Sequence, residues 1–264
     1  MESLWKQIGL IGQDRLLKQK IFPRISGGSK RFVLKGPAGC GKTALLEWAR
    51  DHTPGKVALV NGRATYATMV REIAEAWEAE IEGTKVADYE HAILSECGHT
   101  IFVDDLHKTN EKKIEILKTL SERNKVHGAI KSKRPLSEQL KQLLWFMEVL
   151  TIPRLNKKDT MRLAESVCLK LGSKASAREV AAFSRGLPGR IVSFATAGEV
   201  SQYEIHLKSD KIAIAPVLIL AAAGVVLFRV LGRALGATDI TLLGSAGMLV
   251  MLVIRMLVQQ GSKE

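Results

Sequence analysis

The longest uninterrupted apolar stretches lie near the end of the chain. Residues 212–231, IAIAPVLILAAAGVVLFRVL, and 240–258, ITLLGSAGMLVMLVIRMLV, carry one charge each, Arg229 and Arg255. At about 1.5 Å per residue each would span roughly 30 Å, the thickness of a hydrocarbon core. The intervening GRALGATD supplies the glycines and charges of a surface turn. The pattern predicts a transmembrane hairpin over 212–258, with Gly224, Gly244, Ser245 and Gly247 letting two helices approach closely. Lys208, Lys211 and Lys263 outside the hairpin, against Arg233 in its turn, predict that both termini and the preceding body face the cytoplasm.

The body alternates short apolar runs with amphipathic stretches. Arg31–Lys35 reads as a short buried strand running into a glycine-rich segment and then a helix, ALLEWAR. A second apolar run, His99–Asp105, ends in two adjacent carboxylates. Over 65–80, Met69, Val70, Ile73, Ala74 and Trp77 share one face of a helix. Farther on, Ala164, Val167, Cys168 and Leu171 fall at i, i+3, i+4 and i+7. Ser176 and Glu179 have the spacing of a capping box that opens a following helix. Gly186-Leu-Pro-Gly-Arg190 ends that helix and starts another, with Pro188 in its first turn.

Charge divides the chain in two. The first 211 of 264 residues carry 35 Lys/Arg against 25 acids, and the remainder carries four against two. Two basic clusters stand out: 15–35 has seven Lys/Arg and no acid, and 108–134 has nine Lys/Arg and three Glu. Such clusters fit nucleic acid or anionic lipid headgroups, or are plain solvated charge. No helix-turn-helix, RRM or zinc-finger pattern accompanies them, and aromatics at 5% argue against a stacking platform for single strands. Cys40, Cys97 and Cys168 are too few and too scattered for a disulfide framework or a zinc site. His91, His99, His107 and His127 lack metal-ligand spacing, and Trp5, Trp48, Trp77 and Trp145 read as core or interface residues. The N-terminus lacks the form of a secretory signal.

The glycine-rich segment, Gly36-Pro37-Ala38-Gly39-Cys40-Gly41-Lys42-Thr43, is a complete G-x-x-x-x-G-K-[ST] pattern in its strand–loop–helix setting. Glycines let backbone N–H groups close around phosphate, and the helix N-terminus adds a favourable dipole. Lys42 would reach the β- and γ-phosphates of ATP, and the Thr43 hydroxyl would ligate Mg²⁺. At the end of the second strand, Asp104 would hold Mg²⁺ through water and Asp105 would polarise the attacking water.

Together these motifs resemble the AAA+ superfamily of P-loop ATPases, more closely its STAND and archaeal-ATPase branches, where Asp-Asp often replaces Asp-Glu. The resemblance runs over about residues 8–200. It implies an α/β P-loop NTPase fold with a parallel five-stranded sheet flanked by helices over 1–152 and a small helical lid over 153–200. A linker at 201–211, the membrane hairpin (212–231 and 240–258) and a tail at 259–264 complete the expected organisation. Within the resemblance Ile11-Gly12-Gln13-Asp14 matches the adenine-side segment, and Val57–Val60, Val126–Ile130 and Glu148–Ile152 match the second, fourth and fifth strands. Lys131 or Ser132 occupies the sensor-1 position, and Arg190 is the sensor-2 candidate. One departure stands out: ring-forming members carry an arginine late in the helix before the fifth strand, and SEQLKQLLWFM has none.

The function these features imply is a membrane-anchored, Mg²⁺-dependent ATPase acting as a switch or motor on a macromolecular partner. Assembly into an oligomer is compatible with it. Two alternatives stay open: a nucleotide-binding scaffold with little turnover, and a DNA-handling ATPase at the membrane. A P-loop kinase is a minor option, because no lid arginine cluster accompanies Arg190.

Overall fold

The computed structural model describes residues 4–27, 30–131 and 136–198. The chain divides into two units, Met1–Tyr203 and Glu204–Glu264, and the described residues belong to the first.

At its centre Phe32, Val33 and Leu34 form an unbroken apolar run, the signature of a strand covered on both faces. This strand, β1 (Arg31–Gly36), lies between β4 (Lys125–Lys131) and β5 (Met147–Thr151) in a five-stranded sheet of order β2-β3-β4-β1-β5. β2 (Val57–Asn61) and β3 (Thr100–Asp104) complete it, and every pairing is parallel. Parallel neighbours need crossovers, and helices supply them: α4 (Lys42–Asp51), α5 (Tyr66–Trp77), α6 (Val86–Ser95), α7 (Glu111–Arg123) and α8 (Glu138–Trp145).

Successive β1 residues point to opposite faces, so the sheet separates two cores. Val33 packs with the apolar faces of α5 and α7, and all five residues expected on the α5 face are buried. Phe32 and Leu34 pack on the other side with Leu45, Leu46 and Ala49 of α4. Short helical pieces precede β1: α1 (Leu4–Ile8), α2 (Asp14–Leu16), a π turn over Leu17–Ile21, and α3 (Phe22–Ile25).

After β5 come three helices with a core of their own, α9 (Lys157–Leu171), α10 (Ala177–Ser184) and α11 (Pro188–Ala197). Ala164, Val167 and Cys168 of α9 are buried as their spacing predicts, whereas Leu171 is 41% exposed at the helix end. Pro188 opens α11 as expected. The capping box expected at α10 does not form: Ser176 is the N-cap, but its side chain makes no cap hydrogen bond.

The α/β fold and the parallel five-stranded sheet agree with the sequence reading; the transmembrane part of the expected fold does not carry over. Among the described residues no helix is long and apolar enough to cross a membrane. The segments 212–231 and 240–258, on which the hairpin was read, lie outside the described residues. That reading rested on the hydropathy of the two segments, the turn between them and the lysines that flank them; with no membrane-crossing helix among the described residues, neither the hairpin nor the multi-pass placement that depended on it is supported.

Candidate functional site

β1 and β3 both end at the carboxyl edge of the sheet, and the loops that follow them face one cleft. The first is Gly36–Gly41. Gly41 serves as N-cap of α4 with φ +97°, a left-handed conformation that side chains disfavour. The first helical bond runs from the Leu45 N–H to the Gly41 carbonyl at 3.0 Å. The N–H groups of Lys42, Thr43 and Ala44 therefore lack intrahelical acceptors, and the positive end of the helix sits with them. Lys42 is buried, its Nζ donating to the carbonyls of Gly36 (3.1 Å) and Pro37 (2.9 Å). Cys40 is buried beneath the loop, and burial pushes its thiol pKa up, so it is a packing residue rather than a nucleophile.

The second loop begins at Asp104. The Thr43 hydroxyl donates to Asp104 Oδ2 at 2.6 Å, which joins the phosphate loop to the end of β3. Asp104 Oδ1 accepts from the Asp105 N–H at 2.8 Å. Asp105 itself has φ +48°, a region that Asp visits more readily than most residues. That twist turns its carboxylate away from the strand and toward Arg63, whose Nε donates to Asp105 Oδ2 at 2.6 Å. His107 Nδ1 lies 3.9 Å from the other oxygen.

Arg63 was missed in the sequence. It sits in the turn after β2, and the turn is held from two sides. Asn61 Oδ1 accepts from the Arg63 N–H at 2.9 Å. The buried Lys113 ammonium of α7 donates to the carbonyls of Gly62 (2.6 Å) and Ala64 (3.0 Å). Burial lowers the Lys113 pKa. A lysine on a mostly polar helix gives no sign in sequence that it braces a loop some fifty residues earlier.

The cleft has a volume of about 480 Å³. Ala38–Thr43, Arg63, Asp104 and Asp105 form its polar end, and Ile8, Ile11, Val167 and Val192 its apolar end. Gln13, only 5% exposed, lines it too, and neither polar atom of its side chain has a hydrogen-bond partner among the described residues. α11 closes the side: the Gly189 N–H donates to the Gly39 carbonyl at 2.7 Å, and a Cβ on Gly189 would stand 2.7 Å from Gly39 Cα. Arg190 follows directly, but its side chain is not among the described residues lining the cleft. Lys131 ends β4 opposite Gly36 and is exposed; Ser132 lies outside the described residues.

These groups fit a nucleoside triphosphate with a divalent cation. Among the described residues no cluster of three or more acidic, histidine or cysteine side chains could hold a metal. One hydroxyl and one carboxylate, 2.6 Å apart, suit Mg²⁺ shared with substrate phosphates. The orphaned Gln13 amide marks a place for a polar ligand in an otherwise apolar pocket.

A family model described as AAA domain (dynein-related subfamily) matches residues 31–166, just over half of the chain. The chain belongs to the AAA domain family. The matched span begins with β1 and ends inside α9, and so holds the phosphate loop and both aspartates. Solved structures agree on the AAA fold. A mutant of Thermotoga maritima RuvB superposes with a TM-score of 0.51 at 21% identity, covering 79% of this chain and 69% of that one. Katanin, in a structure bearing on its self-assembly, gives 0.52 at 19% identity over 81% and 77%. Domain III of the Thermotoga maritima replication initiation protein DnaA gives 0.54 at 13% identity over 77% and 90%. No curated protein sequence matches the chain.

Proposed function

We propose that this chain is a Mg²⁺-dependent ATPase of AAA type in which the nucleotide state alters how α9–α11 close on the phosphate loop. The observation that carries the reading is the Thr43–Asp104 contact at 2.6 Å with Asp105 beside it. It brings together two segments about sixty residues apart, which supports a shared phosphate and metal site.

In this reading the Lys42 ammonium and the N–H groups opening α4 hold the phosphates, and Thr43 and Asp104 hold the metal. Mg²⁺, when bound, neutralises phosphate charge. Asp105 accepts a proton from the water as its oxygen bonds to the γ-phosphorus and the bond to the β–γ bridging oxygen breaks. Arg63 fixes the direction of the Asp105 carboxylate. Gln13 meets the base edge, and the contact of Gly189 with Gly39 transmits loop position to the helices that follow. Arg190 serves as a sensor only once α11 moves farther over the cleft. The Asp104–Asp105 pair supports placing the chain near the STAND branch, and the partner on which the cycle acts is a macromolecule.

A second reading has two observations in its favour. Arg63 occupies the Asp105 carboxylate, and α8 brings no arginine, so the protein would bind ATP and turn it over slowly as a gated scaffold. Single-turnover hydrolysis separates the two. The test of the site itself is Lys42→Ala in the full chain: removing the buried ammonium should abolish measurable ATP binding and hydrolysis together. Hydrolysis at the parent's rate in that variant would place the activity elsewhere.

A further inference from the structure

At the opposite end of β1 from the phosphate loop, Trp145 and Phe146 stand side by side with 84% and 73% of their surfaces exposed. The sequence reading assigned Trp145 to a core or interface and discounted a stacking platform. In the structure both residues line an open concavity of about 690 Å³, together with Lys30, Arg31, Met147 and Glu148. Five residues of strand, about 17 Å, separate Arg31 here from Gly36 at the cleft, so this surface is distinct from the nucleotide site.

Its charge is one-sided. Glu148 is the acid among those lining residues, and Arg24 Nη2 pairs with it at 2.5 Å. The Arg24 hydrogen bond holds the Glu148 carboxyl below its usual range, and the charges of Lys30 and Lys20 lower it further, which puts both lysines in the neighbourhood. Arg31 is anchored by the Ser121 carbonyl. Lys20 and Lys30 are exposed, and neither makes a salt bridge among the described residues.

We propose that this face binds single-stranded nucleic acid, with bases stacking on Trp145 and Phe146 and the backbone phosphates meeting Lys20 and Lys30. Two solvent-facing rings beside clustered cations suit a strand whose base faces are free and whose backbone is anionic. A duplex keeps its bases paired and offers the rings only its ends. A second copy of this chain would bring its own formal charge of +12 to a basic surface, which opposes self-contact.

The test is fluorescence anisotropy of a labelled oligothymidylate of about twenty nucleotides with the full chain, at salt between about 50 and 200 mM. Trp145→Ala and Phe146→Ala should each weaken binding on the order of tenfold while leaving the salt slope unchanged. Trp145→Phe should restore most of the affinity. Lys20→Ala with Lys30→Ala should flatten the log–log salt slope by about 1.4. ATP binding should stay at the parent's level in all of them, which separates failure here from failure of the nucleotide site. Parental affinity in Trp145→Ala, no binding at low salt, or binding of phosphatidylserine vesicles in place of the oligonucleotide would overturn the proposal. So would a Trp145→Ala effect confined to self-association in sedimentation.

Discussion

Thr43 and Asp104 meet because β1 and β3 end at the same edge of a parallel sheet, and the spacing of the two motifs made this pair legible in the sequence. The partners of the site were not. Arg63 reaches Asp105 across 42 positions, and only the turn after β2 brings it there. Arg63→Ala should leave ATP affinity intact and lower turnover by at least about tenfold, because the Asp105 carboxylate loses the group that orients it. A faster rate in that variant would mean that Arg63 restrains Asp105, which is the scaffold reading. Gln13 was read as part of a segment, not as a side chain with two unsatisfied atoms. A Gln amide matches the N6/N7 edge of adenine and clashes in polarity with guanine. Gln13→Leu should therefore erode the preference for ATP over GTP by roughly five- to 150-fold, worth about 1–3 kcal/mol, measured as competing nucleotide affinities.

At the level of elements, apolar runs marked the strands well because a parallel sheet buried on both faces leaves few polar positions in β1, β3 and β4. His127 is the exception inside β4. It is fully buried and stacked on Phe32 at 4.3 Å, with Nδ1 accepting the Phe32 N–H at 3.1 Å. The proton of the neutral ring therefore sits on Nε2. Burial first, then the charges of Lys125 and Arg31, push its pKa down to about 3 from 6.5. Above pH 6.5 folded and unfolded chains both hold the ring neutral. Below it the unfolded chain takes up a proton that the folded one refuses, so stability falls by about 1.4 kcal/mol per pH unit until about pH 3. His127→Phe should remove one proton's worth of that slope in chemical denaturation, at a cost of about 1–3 kcal/mol near neutrality for the Phe32 N–H left unpaired. An unchanged slope would show that His127 titrates normally.

For the molecule as a whole, the phosphate loop and the Asp-Asp strand sufficed to indicate a P-loop fold, since few other arrangements place those residues together. Hydropathy did not carry as far: the apolar segments 212–231 and 240–258, which lie outside the described residues, looked decisive as a pattern, and no helix among the described residues is long and apolar enough to cross a membrane. The exposed pair Trp145–Phe146 was hidden for the opposite reason. A two-residue aromatic step between a helix and an edge strand has the same sequence whether it turns inward or outward. Hydrolysis in this site depends on Asp105, and one paired measurement tests that role: ATP affinity and steady-state hydrolysis in Asp105→Asn. Asn tolerates the left-handed backbone at this position, so the substitution removes the carboxylate charge while sparing the turn. Retained affinity with turnover reduced by about 10²–10⁴-fold is the predicted result; turnover equal to the parent's would contradict it.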